Sequence, residues 1–282
     1  MTDTFHQIKI GDTQVMALKD SWLRRPPEGF FVDVDAEDWA PYPEWLDDDG
    51  LIDHNFGCFA IRSVGKTILV DTGLGQWPNQ LPLQHESSLL KTMDQAGIAP
   101  AEIDLVLFTH LHFDHVGWNT RGEEGALVPT FPNARYVVQQ TEYDYWMSPG
   151  EKPSNRPDHD KVLAPIIEAG LLDLVDTDYT ATSEIATVPT PGHTPGHVSY
   201  AIVSGGEYAY VLGDAIHKPV QATEPDWYPG FDMDPIVSTA SRHMILDRAE
   251  SEDALLAAGH FAFPSMGRMQ RIDGRRTFEY VS

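Results

Sequence analysis

The chain has a single cysteine, few basic residues and no long hydrophobic run, and each shortage excludes something. With only Cys58 present, an intrachain disulfide is impossible. Cys58 lies in Phe56-Gly57-Cys58-Phe59-Ala60-Ile61, which reads as a buried strand, so the thiol is expected to act as a small hydrophobe. Lysine and arginine number 19 against 43 acidic residues, a formal net charge of −24. Such a surface repels phosphate backbones and anionic lipid, so no nucleic-acid partner and no membrane partner are expected, and a small neutral substrate fits best. No stretch of 18 apolar residues occurs, so no transmembrane helix is expected. The N-terminal Met1-Thr2-Asp3-Thr4-Phe5-His6-Gln7 has neither a basic nor an apolar leader region, which predicts a cytoplasmic location.

Among the 282 residues, 41% are hydrophobic, enough for a substantial α/β core, read here as one domain over 1–282. The acidic excess sits partly in Asp33, Asp35, Glu37, Asp38, Glu44 and Asp47-Asp48-Asp49. Residues 21–50 also carry Pro26-Pro27 and Gly29, and they show little periodicity. A loop of that length predicts a lid or a homodimer contact, with Trp22, Phe30, Phe31 and Trp39 buried against a second subunit, the rim of a pocket or the chain's own core.

The most informative stretch is Thr109-His110-Leu111-His112-Phe113-Asp114-His115-Val116-Gly117. It follows Ile103-Asp104-Leu105-Val106-Leu107-Phe108, which reads as a buried strand. Residues two apart in extended backbone share a side, so His110 and His112 can point at one metal. The turn that follows lets Asp114 and His115 reach a second metal. Imidazole and carboxylate are donors that zinc accepts. Two adjacent metals can hold one water as hydroxide, which is hydrolytic chemistry.

Further donors follow at strand ends. Ile185-Ala186-Thr187-Val188 runs into Pro189-Thr190-Pro191-Gly192-His193-Thr194-Pro195-Gly196-His197, a stiff turn that pre-positions a histidine. The strand Glu207-Tyr208-Ala209-Tyr210-Val211-Leu212 ends at Gly213-Asp214, and a final strand through Leu255-Leu256-Ala257-Ala258 ends at Gly259-His260. The donors then divide: His110, His112 and His193 for one metal, Asp114, His115 and His260 for the other, with Asp214 bridging. Two zinc ions suit this set, and cobalt, manganese or iron could substitute. Asp71, at another strand end, is expected to accept hydrogen bonds from the histidine loop. His159 is expected to face solvent. An Asp234-Pro235 pair opens a helix. The tail carries Arg268, Arg271, Arg275 and Arg276.

His-x-His-x-Asp-His, Thr-Pro-Gly-His-Thr-Pro-Gly-His, Gly-Asp and a late Gly-His together resemble the metallo-β-lactamase superfamily across roughly residues 55–265. The resemblance implies an αββα sandwich, two mixed β-sheets flanked by helices, with metals at one edge. It also makes His193 the ligand of its pair, with His197 supporting it, and marks Asp71-Thr72-Gly73 as a structural element. Cys58 is misplaced for the cysteine ligand of the β-lactamases themselves. Only 22 residues follow His260, too few for the basic C-terminal domain of the glutathione-thioester hydrolases. The acidic surface does not suit the transfer-RNA processing nucleases. Thr141-Glu142-Tyr143 resembles the acyl-homoserine lactonases, whereas Gly213-Asp214-Ala215-Ile216-His217 and Gly259-His260-Phe261-Ala262-Phe263-Pro264 resemble the methyl parathion hydrolase branch. His217 stands where those lactonases carry tyrosine.

The implied activity is a dinuclear-metal hydrolase that opens a lactone, with an acyl-homoserine lactone as one candidate, or a similar ester. Asp114 and Asp214 would shuttle protons, and His217 would meet the substrate or leaving oxygen. Phe113, Trp118, Trp227 and Tyr228 are candidates for an apolar pocket. An organophosphate triesterase is the alternative, and a non-enzymatic metal-binding protein the third reading.

Overall fold

The computed structural model describes residues 4–76 and 81–281, so Met1–Asp3, which precede the first strand, lie outside the described residues. Seven strands build the first sheet: β1 (Phe5–Ile10), β2 (Thr13–Arg25), β3 (Ile52–Ser63), β4 (Lys66–Val70) and β5 (Leu105–Leu107), then, after a small pair β6 (Thr120–Arg121) and β7 (Val128–Pro129), β8 (Arg135–Gln139) and β9 (Leu172–Val175). The strands from β1 to β4 pair antiparallel, and those from β4 through β5 and β8 to β9 pair parallel. The second sheet runs β10 (Thr180–Thr182), β11 (Ile185–Pro189), β12 (Val198–Ser204), β13 (Glu207–Val211), β14 (Leu255–Ala257), β15 (Met266–Ile272) and β16 (Arg275–Tyr280), with β13 and β14 parallel and the rest antiparallel.

Strand alternation sorts the side chains into layers. Phe59 and Ile61 of β3, with Leu105 and Leu107 of β5, face Tyr200, Ile202, Val211 and Leu255 of the opposite sheet. Cys58, Ala60 and Val106 point the other way, toward α2 (Leu89–Gln95), which follows a four-residue α1 (Ala36–Trp39). The short α3 (Phe113–Val116) lies in the histidine loop; α4 (Gln140–Met147) and α5 (Ala164–Glu168) complete that outer layer. α6 (Pro235–Ser251) covers the second sheet through Ile245, Leu246 and Ala249. β5 is buried on both faces, which is why its sequence is a continuous apolar run. Cys58 is buried, and burial pushes its thiol up.

Three expectations need correction. β14 is not the last strand: the arginine-rich tail forms the β15–β16 hairpin, turned at Asp273-Gly274, both residues at positive φ. Its arginines pair with α6, Arg271 with Glu250 and Arg276 with Asp247 and Glu250. The irregular segment expected over 21–50 begins later, because Ser21–Arg25 extend β2 against β3. Within it, Phe30, Phe31 and Trp39 are buried with Ile52 and Val220 of the same chain, so its aromatics have a core of their own. The helix expected over Lys161–Ala169 is a wide turn at His159–Leu163 followed by α5, with Pro165 in the first turn of the latter. His159 is exposed, as its position at the loop boundary predicts.

At the end of the sandwich away from the histidines, Glu184 joins the sheets. Its carboxylate accepts from Thr13 at the start of β2, Ser63 at the end of β3 and Ser204 at the end of β12. Those donors hold its carboxyl below the usual carboxylate range. A lowered folded-state value adds stability above the unfolded value of about 4.3, and that stability is lost as pH falls through the lower folded value. Glu184→Ala should therefore cost about 1 kcal/mol at pH 7, since the site is partly solvated. The gap in urea midpoint from the wild type should narrow as the pH drops below about 4, and a gap independent of pH would contradict the assignment.

Candidate metal centre

Strand ends converge on one edge of the sandwich. β4 delivers Asp71, β5 the 109–115 loop, β11 the 189–197 turn, β13 Gly213-Asp214 and β14 Gly259-His260. The donor atoms of His110, His112, His193 and Asp214 lie within 4.8 Å of one another, as do those of Asp114, His115 and His260. Nε2 of His110 and Nε2 of His193 each stand 2.9 Å from Nδ1 of His112. Asp214 connects the groups: Oδ2 is 3.2 Å from His193 Nε2 and 3.1 Å from His260 Nε2, and Oδ1 is 3.2 Å from His115 Nε2. All seven residues singled out as ligands are thus brought together.

The protons on these rings are fixed from outside. His193 Nδ1 donates to Asp232 at 2.8 Å, His260 Nδ1 to the Asn55 carbonyl at 2.7 Å, and His115 Nδ1 to Asp71 at 2.9 Å. Each inner Nε2 is then the nitrogen that offers a lone pair to the common centre once a cation displaces any proton it holds. His115 Nε2 and Asp214 Oδ1 are buried with no hydrogen-bond partner among the described residues. Converging lone pairs and orphaned acceptors are what a cation satisfies, so the donor set fits a pair of divalent metals.

The electrostatics agree. Burial holds His110 and His112 well below the ordinary imidazole range, leaving them neutral and able to ligate. Burial also opposes charge on His193, but Asp214 and Asp232 outweigh it and lift its pKa to about 9, so a cation binding there displaces a proton. Asp214 is buried too, yet the imidazoles around it, His260 and His115 foremost, hold it well below the usual carboxylate range.

Supporting residues lock the loops. Asp71 adopts φ 59°, a left-handed conformation rare for a non-glycine residue, and accepts from the backbone and hydroxyl of Thr109 as well as facing His115. This is the hydrogen-bonding role expected for it. His197 was expected to back His193, but it acts on Asp214: its Nε2 accepts from the Asp214 amide at 2.9 Å and its Nδ1 donates to the Thr190 carbonyl. Gly213 must lack a side chain, since a Cβ there would lie 2.6 Å from His197 Nε2. Glu142 reaches both ligand-bearing loops, accepting from Leu111 N and Gly196 N, and also from Trp146 Nε1. His217 is fully buried and meets Asp214 Oδ2 at 3.1 Å instead of facing open space, because Phe30 and Phe231 close over its ring.

A cavity of about 660 Å³ opens on the donors His112, Asp114, Asp214 and His260. Leu23, Phe56, Leu81, Phe113, Phe231 and Met233 form its apolar wall, and Arg25 and Asn155 also line it. Of the expected aromatics only Phe113 contributes. Trp227 packs with Phe31 and Trp39, Trp118 donates to Asp20 and Ser87, and Tyr228 does not reach the lining. Sequence reasoning missed Asp232, Asn55 and Phe231, which lie far along the chain from the ligands they serve. No fixed spacing announces such partners.

Comparison with known proteins gives a consistent picture. The sequence profile of the family described as Metallo-beta-lactamase superfamily matches residues 58–260. N-acyl homoserine lactonase AttM of Agrobacterium fabrum is 27% identical over 190 residues, 65% of this chain and 66% of the relative, just under two thirds of that protein's length. Among solved structures, AidC, a dizinc quorum-quenching lactonase, is 25% identical with a TM-score of 0.81, covering 99% of both chains. The hydrolase AbOPH, at 24% identity, shares the fold with a TM-score of 0.86 over 100% of this chain and 99% of its own. The two mixed sheets with helical outer layers are therefore the fold that the motifs imply. Among the described residues, no helix is long and apolar enough to cross a membrane.

Proposed function

The chain belongs to the metallo-beta-lactamase superfamily, and from that premise we propose that it is a dinuclear-metal hydrolase that opens lactones, with N-acyl homoserine lactones as the substrate class. The observation that carries this reading is the meeting of two donor sets at Asp214, on the floor of a cavity with apolar walls. The relatives and neighbours named as lactonases support the class. His110, His112 and His193 would hold one cation and Asp114, His115 and His260 the other, with Asp214 between them. Zinc suits so imidazole-rich a set, and cobalt, manganese or iron fit the same donors. Bound there, the pair would lower the pKa of water to about 7 and polarise the scissile carbonyl.

The chain's own residues do the rest. Leu23, Phe56, Phe113, Phe231 and Met233 take up the acyl portion and exclude water. Asp114, whose side chain is 11% exposed against 5% or less for His115 and Asp214, borders the cavity. Its carboxylate takes the proton released as water attacks and returns it to the ring oxygen as the C–O bond breaks. His217, which burial pushes down to about 4, is neutral near pH 7 and donates from Nε2 to Asp214, a positioning role. The core that the two sheets share supports reading the chain as one domain over 1–282.

The test is a substrate panel on zinc-loaded protein: acyl-homoserine lactones, an open-chain ester, a thioester and a phosphotriester. The kcat/KM on acylated lactones should exceed that on the triester by at least about tenfold. A higher value on the triester transfers the reading to phosphoryl chemistry, and no turnover of any member ends the hydrolytic reading.

A further inference from the structure

The net charge of −24 favours a neutral substrate, yet the cavity wall presents a cation. Four charged side chains other than imidazoles line the cavity: Arg25, Asp114, Asp214 and Asp232. Asp114 and Asp214 belong to the donor sets, and Asp232 is taken by His193, Ser238 and Arg242. Arg25 alone of these four has no hydrogen bond or ion pair among the described residues.

Its neighbour explains why. Successive strand residues point to opposite sides. Arg24 turns outward and takes the nearby carboxylates, Asp47 at 3.2 Å and Asp53 at 3.3 Å. Arg25 turns toward the cavity, half-buried, with Cζ 5.1 Å from the centre of the Phe30 ring. Burial alone pulls its guanidinium down, with no carboxylate offsetting it. Lys218 lies 5.4 Å from the same ring but is committed to the carbonyls of Asp53 and His260. Pro26-Pro27 follow at once, fixing φ at the strand end and stiffening the mount of Arg25. A planar fork of five donors, lying over an aromatic ring and free of acceptors among the described residues, matches a carboxylate in two-point geometry.

We propose that Arg25 forms a carboxylate-binding subsite, so that the substrate carries a carboxylate in addition to the bond cleaved. This rests on the lactonase reading for the identity of that bond and deepens it by naming a second recognised group. Leu23 and Phe56, which line the same cavity, then accommodate the hydrocarbon that joins the two.

The experiment compares two lactones on the zinc-loaded full chain, one with a tail ending in a carboxylate and one ending in the matched primary amide. The wild-type kcat/KM ratio, carboxylate over amide, should be above about ten and should fall by about 10- to 100-fold in Arg25→Gln, with Arg25→Lys between the two. A wild-type ratio near one overturns the subsite without any variant, and so does a ratio that moves by less than about twofold in Arg25→Gln. Binding is read separately by calorimetry with glutarate and its half-amide. If no lactone is cleaved but the glutarate preference collapses in Arg25→Gln, the hydrolytic reading fails and the subsite stands. If lactones are cleaved and neither ratio responds, the subsite fails alone.

Discussion

Chelation should abolish lactone hydrolysis, and added zinc should restore it to the wild type but not to Asp214→Ala. The reason is the central place of this carboxylate. Its two oxygens face imidazoles of both donor sets, with Oδ1 at His115 and Oδ2 at His193 and His260. Removing it leaves the sets separate and the orphaned His115 Nε2 without its nearest counter-charge. Metal polarisation is worth several kcal/mol, and at 1.36 kcal/mol per tenfold the loss is at least about 10³-fold in kcat/KM. Zinc bound per chain should also fall below two in the variant. Turnover that survives complete demetallation, or an Asp214→Ala protein with full zinc and full rate, would remove the basis of the dinuclear reading.

Glu142→Leu should be among the most destabilising single changes outside the donor sets. The carboxylate is fully buried, and burial pushes it up, yet its two oxygens satisfy three buried donors: Leu111 N at 2.9 Å, Gly196 N at 3.0 Å and Trp146 Nε1 at 2.6 Å. Leucine has comparable bulk and no acceptor. Each orphaned donor costs about 1–3 kcal/mol, so at least about 3 kcal/mol of folding stability should be lost. Leu111 sits between His110 and His112, and Gly196 follows His193 by three residues, so the same change loosens both loops of one donor set. Zinc affinity should fall by about 10- to 100-fold. Urea denaturation and chelator competition measure the two effects, and Glu142→Gln should be milder in both. Native zinc affinity in a destabilised Glu142→Leu protein would make the residue a matter of packing alone.

Much of the site was legible because its chemistry sits at fixed offsets from strands. A run of Leu105 to Leu107 buried on both faces announces itself as apolar, and the donors begin where it stops. The same logic located His193, Asp214 and His260. The supports were not legible, because they are held by contacts between distant segments. Asp20, buried beneath the 71–75 loop, accepts from Leu74 N, Ser88 N, Leu89 N and Ser87 Oγ, and nothing in its own surroundings, Leu18-Lys19-Asp20-Ser21, marks it. Asp232 reaches His193 across 39 positions. The β15–β16 hairpin was missed for a different reason. Its exposed arginines mask the alternation, although Asp273-Gly274 is a strong turn signal. His217 misled because its place after Asp214 is clear while its burial behind Phe30 and Phe231 depends on segments before and after it.

Leu23, Arg25, His54 and Phe56, one side of the cavity, all precede the stretch that the family profile matches, which begins at residue 58. One side of the surface that meets the substrate is therefore written apart from the donor residues, while Leu81, Phe113, Phe231 and Met233 lie within the shared portion. An exchange of the first fifty-odd codons would change that side of the cavity while every donor strand stays as it is. Conversely, kinship judged from the shared portion alone leaves that side of the cavity unread.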